Sequence, residues 1–189
     1  YDGIGNEVQT VDQAGYTVKR DYNLLGQCIK ETDENGHETL YTYDNRGQNT
    51  GVSKGNMHTT FLYDAHGNIT ETKVNGVTAE EKEYDAYGRV IRERTPEKTM
   101  AYEYDTFDNV ILETNETTGL SIEKEYDSFS NVLREEDSEG RTTIYTYDDY
   151  HRLVETEDAY GRVQTSVYDD FQHVIEETSF TGETTKNVY

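Results

Sequence analysis

Carboxylates are the commonest reactive groups in this 189-residue chain, with 39 Asp and Glu against 17 Lys and Arg. The densest runs are Glu80-Glu81 and Glu135-Glu136-Asp137. Neighbouring carboxylates can serve as a general acid and base, or as hard ligands for calcium. The spacing argues against both, because neither an EF-hand loop nor a Gly-Gly-x-Gly-x-Asp calcium repeat is present. Charges that return at fixed positions are accounted for as a solvated strand face that also guards sheet edges. His37, His58, His66, His151 and His173 fall at different phases of the internal repeat described below. Stacking its copies therefore does not gather them into a metal-ligand ring. Cys28 is the single cysteine, which excludes an internal disulfide and a Cys-based zinc site. No Ser/His/Asp or Cys/His arrangement stands out, and the serines fall mostly in turns. The expectation is a protein that is not an enzyme, with no catalytic residue, no metal site and no cofactor.

Charge narrows the partners. A net charge of −22 and a pI near 4.4 repel phosphate backbones and anionic lipid surfaces. No apolar run approaches the ~20 residues of a membrane span. Nucleic-acid binding and membrane insertion are thus not expected. The chain opens Tyr1-Asp2-Gly3 with no signal peptide and reads as a piece of something longer. Leu, Ile, Val and Phe together number only 35, a content that by itself points to disorder. The 17 tyrosines point the other way, because Tyr forms strands well and buries its ring while its hydroxyl stays wet.

The order of the residues decides between these. Tyr1, Tyr22, Tyr43, Tyr63, Tyr84, Tyr104, Tyr126, Tyr147, Tyr168 and Tyr189 recur every 20 to 22 residues. Asp follows at Asp2, Asp44, Asp64, Asp85, Asp105, Asp127, Asp148 and Asp169, and Asn23 replaces it once. Three residues further on stand Gly5, Gly26, Gly47, Gly67 and Gly88. In Asp-x-x-Gly the carboxylate can accept nearby backbone N–H groups and the glycine can take φ > 0, so each copy specifies a turn. In the last four copies Asp108, Ser130, His151 and Gln172 replace the glycine and are expected to be strained if the left-handed conformation persists. A second turn lies in mid-repeat, as in Asp33-Glu34-Asn35-Gly36 and Asp137-Ser138-Glu139-Gly140.

Each copy therefore contains two strands. The first is Val/Ile-rich, as at Val90-Ile91, Val110-Ile111 and Val174-Ile175. The second alternates with period two, as at Tyr41/Tyr43 and Tyr145/Tyr147. Paired apolar residues in the first strand point to opposite faces, so parity leaves open which one meets the tyrosine side. Tyr87, Phe107, Phe129, Tyr150 and Phe171 recur within the first turn, where they can stack on neighbouring repeats and stiffen one rim. Residues 1–189 are read as one array of nine repeats beginning at Tyr1, Tyr22, Tyr43, Tyr63, Tyr84, Tyr104, Tyr126, Tyr147 and Tyr168.

The pattern Tyr-Asp-x-x-Gly-[Asn/Arg]-[Val/Ile], as in Tyr63-Asp64-Ala65-His66-Gly67-Asn68-Ile69 and Tyr84-Asp85-Ala86-Tyr87-Gly88-Arg89-Val90, resembles the YD (Rhs) repeats over the whole chain. The resemblance implies an all-β array of consecutive antiparallel β-hairpins, forming one long, twisted, spiralling sheet that is a segment of a YD-repeat shell. About 18 strands at about 4.8 Å would extend on the order of 85 Å, enough to need twist and coiling. It also implies a structural wall that encloses a C-terminal toxin or cargo domain of a larger secreted or cell-surface bacterial protein. The partners would be the remaining YD repeats and the C-terminal core of the parent chain. An adhesive, carbohydrate-binding module with glycans as partners is the second reading, favoured by exposed and opposed by buried repeat tyrosines. Cut out of such a wall, the array exposes strand edges near Tyr1 and Tyr189, and end-to-end self-association is expected.

Overall fold

The computed structural model describes residues 1–188, and Tyr189 lies outside the described residues. Among the described residues there are 18 β-strands and no helix, so none is long and apolar enough to cross a membrane. The chain divides into two compact units, Tyr1–Lys98 and Thr99–Tyr189. The division falls just after Thr95-Pro96-Glu97-Lys98, a turn closed by the Thr95 N–H on the Lys98 carbonyl at 2.8 Å.

The first unit is a nine-stranded antiparallel meander. Its strands are β1 (Gln9–Val11), β2 (Thr17–Tyr22), β3 (Cys28–Thr32), β4 (Glu38–Tyr43), β5 (Asn49–Lys54), β6 (Met57–Tyr63), β7 (Ile69–Val74), β8 (Val77–Tyr84) and β9 (Val90–Arg94). Each pairs with the next in sequence. The second unit repeats the plan with β10 (Thr99–Tyr104), β11 (Val110–Asn115), β12 (Leu120–Tyr126), β13 (Val132–Asp137), β14 (Thr142–Tyr147), β15 (Leu153–Glu157), β16 (Val163–Tyr168), β17 (Val174–Thr178) and β18 (Thr184–Lys186). The expected all-β array of antiparallel hairpins is what the chain forms.

The register resolves what parity left open. In every Tyr-Asp hairpin the ladder slips beside the tyrosine: Tyr104 pairs with Val110, but Glu103 pairs with Leu112, so Ile111 is an extra residue. The same slip makes Ile91, Leu133, Val154 and Ile175 the extra residues of their strands. A β-bulge of this kind bends the strand and increases its twist. Strict alternation therefore fails at the second apolar residue, which is why sequence parity could not assign its face.

Neither face is greasy. Among the described residues Met100 is the only buried hydrophobe, and none is fully buried. The tyrosine side carries cross-strand pairs such as Arg20 with Glu31, Lys82 with Glu93 and Lys124 with Glu135. The opposite side carries Arg94 with Glu81 and Arg134 with Glu125. Backbone ladders and half-covered side chains hold such a sheet, in place of an oily interior. Close approach matters once: Gly51 is buried, and a Cβ there would lie 2.9 Å from Thr42 Oγ1 and 3.2 Å from the Thr59 carbonyl.

The repeated tyrosine-aspartate turn as candidate functional site

The turn that follows each repeat tyrosine is built around one carboxylate. At Asp64, Oδ1 accepts the His66 and Asn68 backbone N–H groups at 2.8 and 3.0 Å, while Oδ2 accepts the Asn68 side-chain amide at 2.9 Å. The Asp64 N–H donates in turn to the Asn68 carbonyl at 3.0 Å. Five residues thus close on themselves, and the residue before Asn68 is driven to φ > 0. Arg89, Arg152 and His173 fill the place of Asn68 in other copies and keep the bond to Oδ2. Asn23 keeps the geometry with inverted polarity: its Oδ1 accepts Leu25 and Gln27 N–H groups, and its Nδ2 donates to Gln27 Oε1 at 2.8 Å. The mid-repeat turns at Asp12, Asp33, Asp137 and Asp158 use the same carboxylate bonds.

Gly5, Gly26, Gly47, Gly67 and Gly88 take φ between 76° and 95°. Asp108, Ser130, His151 and Gln172 take φ of 68°, 65°, 62° and 71°, so the left-handed conformation persists without glycine.

The tyrosines do something the sequence did not reveal. Tyr22, Tyr43, Tyr63, Tyr84, Tyr126, Tyr147 and Tyr168 donate their hydroxyls, at 2.5 to 3.0 Å, to the carbonyls of Glu7, Cys28, Asn49, Ile69, Val110, Val132 and Leu153. Each acceptor stands two residues past the left-handed position of the preceding repeat, and all but Glu7 lie beside its bulge. The hydroxyl is therefore not left to solvent; it ties each hairpin to the one before. Side chains next to the left-handed residue add a second link. Gln27 Nε2 donates to the Gly47 carbonyl at 3.1 Å, and Arg152 Nη1 donates to the Asp169 carbonyl at 3.0 Å while its guanidinium lies 4.7 Å from the centre of the Tyr168 ring. The Asn/Arg that follows the glycine was visible in the motif, but nothing in sequence said that it caps the carboxylate and bridges repeats. Tyr1, by contrast, is 83% exposed.

Stacking of a turn aromatic on the neighbouring repeat occurs at Phe129. Tyr87 and Tyr150 lie under their own turns' Arg89 and Arg152, each 5.2 Å away, and Phe129 meets His151 of the next turn at 4.0 Å. Their rings stay largely in solvent.

The dense carboxylate runs are dispersed by the strand geometry. Glu135 accepts the Tyr145 hydroxyl at 3.0 Å and faces Lys124 at 3.4 Å, Glu136 pairs with Arg134, and Asp137 binds Arg141. Glu80 pairs with Lys82 and Glu81 with Arg94. Among the described residues no group of three or more His, Cys, Asp and Glu is placed to hold a metal ion. His37 and His173 each face a turn carboxylate at 3.0 Å, and the Cys28 thiol donates to the Lys30 carbonyl.

Hydrogen bonding holds several of the turn carboxyls below the ordinary 3.8. The side-chain amides of Asn6, Asn68 and Asn131 act first on Asp2, Asp64 and Asp127, and the Arg141 guanidinium on Asp137. At Asp85 and Asp148 partial burial pushes upward, but the bonds from Arg89 and Arg152 outweigh it. A carboxyl lowered by folding stabilises the fold while ionised. That contribution is complete above its unfolded value and disappears as pH falls through the folded one. Urea midpoints should hold down to about pH 5 and then drop steadily towards about pH 2. Asp64→Asn should shallow that drop, because the amide cannot titrate and Asn23 shows that the turn accepts it; an unchanged slope would refute the assignment.

Tyr145 is pushed up to about 12, first by burial and then by its bond to Glu135. The neutral phenol is the form the fold favours, so this contribution is present below about 10 and is lost as pH rises through about 12. Ultraviolet titration should show a late-ionising tyrosine that moves earlier in Glu135→Gln.

A family model described as the teneurin YD-shell matches residues 4–189. The tRNA nuclease WapA of Bacillus subtilis (strain 168) is 33% identical over 124 residues, which are 61% of this chain and 5% of WapA. Among solved structures, TcdB2-TccC3 without its hypervariable C-terminal region aligns with a TM-score of 0.65 at 19% identity, over 83% of this chain and 10% of that one. The Photorhabdus luminescens Tc holotoxin pore aligns with a TM-score of 0.58 at 15% identity, over 87% and 12%. This chain spans only a small part of each, and the solved structures share its fold of stacked hairpins. With the match running from residue 4 to the last residue, over hairpins closed by one recurring Tyr-Asp turn, the chain belongs to the teneurin YD-shell family.

Proposed function

We infer that this chain is a non-catalytic wall segment, one array of nine repeats over residues 1–189, of a shell that encapsulates a C-terminal toxin or cargo domain of a larger secreted or surface protein. The observation that carries the reading is the hairpin-to-hairpin lock, in which the tyrosine hydroxyl of one repeat reaches the bulge carbonyl of the last. It spends the repeat's most characteristic side chain on wall continuity. The Tyr, Asp and Gly of the motif are structural residues in this reading, and their recurrence needs no ligand. Polar residues on both sides suit a wall wetted on each face. Relatives whose names include a nuclease and a holotoxin pore are consistent with a lethal cargo elsewhere in the parent chain. Repeat tyrosines engaged through their hydroxyls do not offer the open faces that a sugar-stacking module requires.

Limited proteolysis of the full-length parent tests the reading. The segment downstream of the array should resist cleavage while the wall is intact, and become cleavable in a Tyr126→Ala variant at a denaturant concentration that leaves the wild type folded. A downstream segment cleaved equally fast in both proteins would overturn it.

A further inference from the structure

In the second unit the third residue of each Tyr-Asp turn is aromatic in four consecutive repeats: Phe107, Phe129, Tyr150 and Phe171. These rings are 75%, 67%, 78% and 81% exposed, far more open than a hydrophobic side chain normally remains. All four turns lie at one end of their hairpins, joining β10 to β11, β12 to β13, β14 to β15 and β16 to β17. Successive rings are therefore two strands apart, about 9.6 Å. Exposed carboxylates stand next to three of the four rings, at Asp108, Asp149 and Asp170. The chemistry of the rim is thus a row of π-faces flanked by negative charge, which attracts cations. Arg152, 5.2 Å from the centre of the Tyr150 ring, shows one ring of the row accepting a guanidinium, and His151 packs on Phe129 at 4.0 Å, yet these two rings stay open enough for a second partner.

We propose that this rim is a docking surface for an extended, proline-rich polypeptide segment with a Lys or Arg at every third residue. A polyproline II chain rises about 3.1 Å per residue, so three residues cover about 9.3 Å and keep successive cations in step with successive rings. A β-strand, with a side-chain repeat of about 6.7 Å, drifts out of step within two turns. Aromatic rows commonly recognise polyproline II segments, because such chains lose little entropy on docking. The inference is independent of what the wall encloses.

A chain of charge −22 attracts any polycation, so the test turns on spacing and on rings. Titration calorimetry compares a Pro-Pro-Arg repeat peptide with an isomer of the same composition whose arginines are grouped at one end. The repeat peptide should bind several-fold more tightly. Replacing Phe107, Phe129, Tyr150 and Phe171 by alanine should erase that preference, each ring contributing roughly 2- to 5-fold. The rings are exposed, so the variant keeps its fold, and circular dichroism verifies this. Asp108→Asn, Asp149→Asn and Asp170→Asn together should weaken both peptides. Equal binding of the two isomers, or an alanine variant that keeps the preference, would overturn the proposal. So would ring-dependent binding to a neutral glycan array in the absence of peptide binding.

Discussion

Replacing Tyr126 by alanine is expected to lower the unfolding free energy by about 2 to 3 kcal/mol, and replacing it by phenylalanine by about 1 kcal/mol. The ring sits half-covered on the sheet, and its hydroxyl donates to the Val110 carbonyl at 2.8 Å. That bond ties the β12–β13 hairpin to the β10–β11 hairpin at the point where Ile111 bulges out of the ladder. In a repeat array stability is close to a sum of repeat terms and nearest-neighbour terms, and Tyr126 belongs to the second kind. With Met100 the only buried hydrophobe among the described residues, little other packing compensates for the loss. Urea unfolding followed by circular dichroism measures both effects. Equal losses in the two variants would show that the ring contributes nothing beyond the hydroxyl; no loss in Tyr126→Phe would show that the bond to Val110 is not a net contributor.

Converting Asp108, Ser130, His151 and Gln172 to glycine should stabilise the second unit by about 2 kcal/mol in total. Each holds φ between 62° and 71°, which costs a residue with a Cβ about 1 to 2 kcal/mol, against about 0.5 to 1 kcal/mol of extra chain entropy that glycine must lose on folding. His151 should gain least, because its ring packs on Phe129 at 4.0 Å and that contact is lost. The reciprocal change, Gly67→Gln, should destabilise by about 1 to 2 kcal/mol. Gly67 lies at φ +95°, and a Cβ there would stand 3.1 Å from Gln48 Nε2. Thermal unfolding distinguishes the outcomes. A quadruple variant no more stable than the parent would show that local hydrogen bonding had already relieved the strain.

Legibility in the sequence followed from how local each feature is. Tyr63-Asp64-Ala65-His66-Gly67 announces its turn because the carboxylate and the N–H groups it accepts lie within five residues. Strands on either side follow from the same short-range logic; whether Asp108 or Gln172 keeps the left-handed φ was open in the sequence, and the structure shows that they do. The face of Ile91 and Ile111 was not legible, since a bulge is a property of a strand pair and shifts parity without any mark on either strand. Stacking on a neighbouring repeat holds at Phe129, whose ring meets His151 of the next turn at 4.0 Å, whereas Tyr150 takes its own Arg152.

Residue order alone determined the repeat, its two turns and the strand content. Each of these depends on groups close in the chain. Only the folded structure decided where the tyrosine hydroxyls go. Their acceptors, such as Val132 for Tyr147 and Cys28 for Tyr43, lie 15 residues back, and strand pairing with its bulge is what brings the two within 3.0 Å. The same pairing decided that the Glu135-Glu136-Asp137 run is split between opposite faces, so that its charges meet Lys124, Arg134 and Arg141 and not one another.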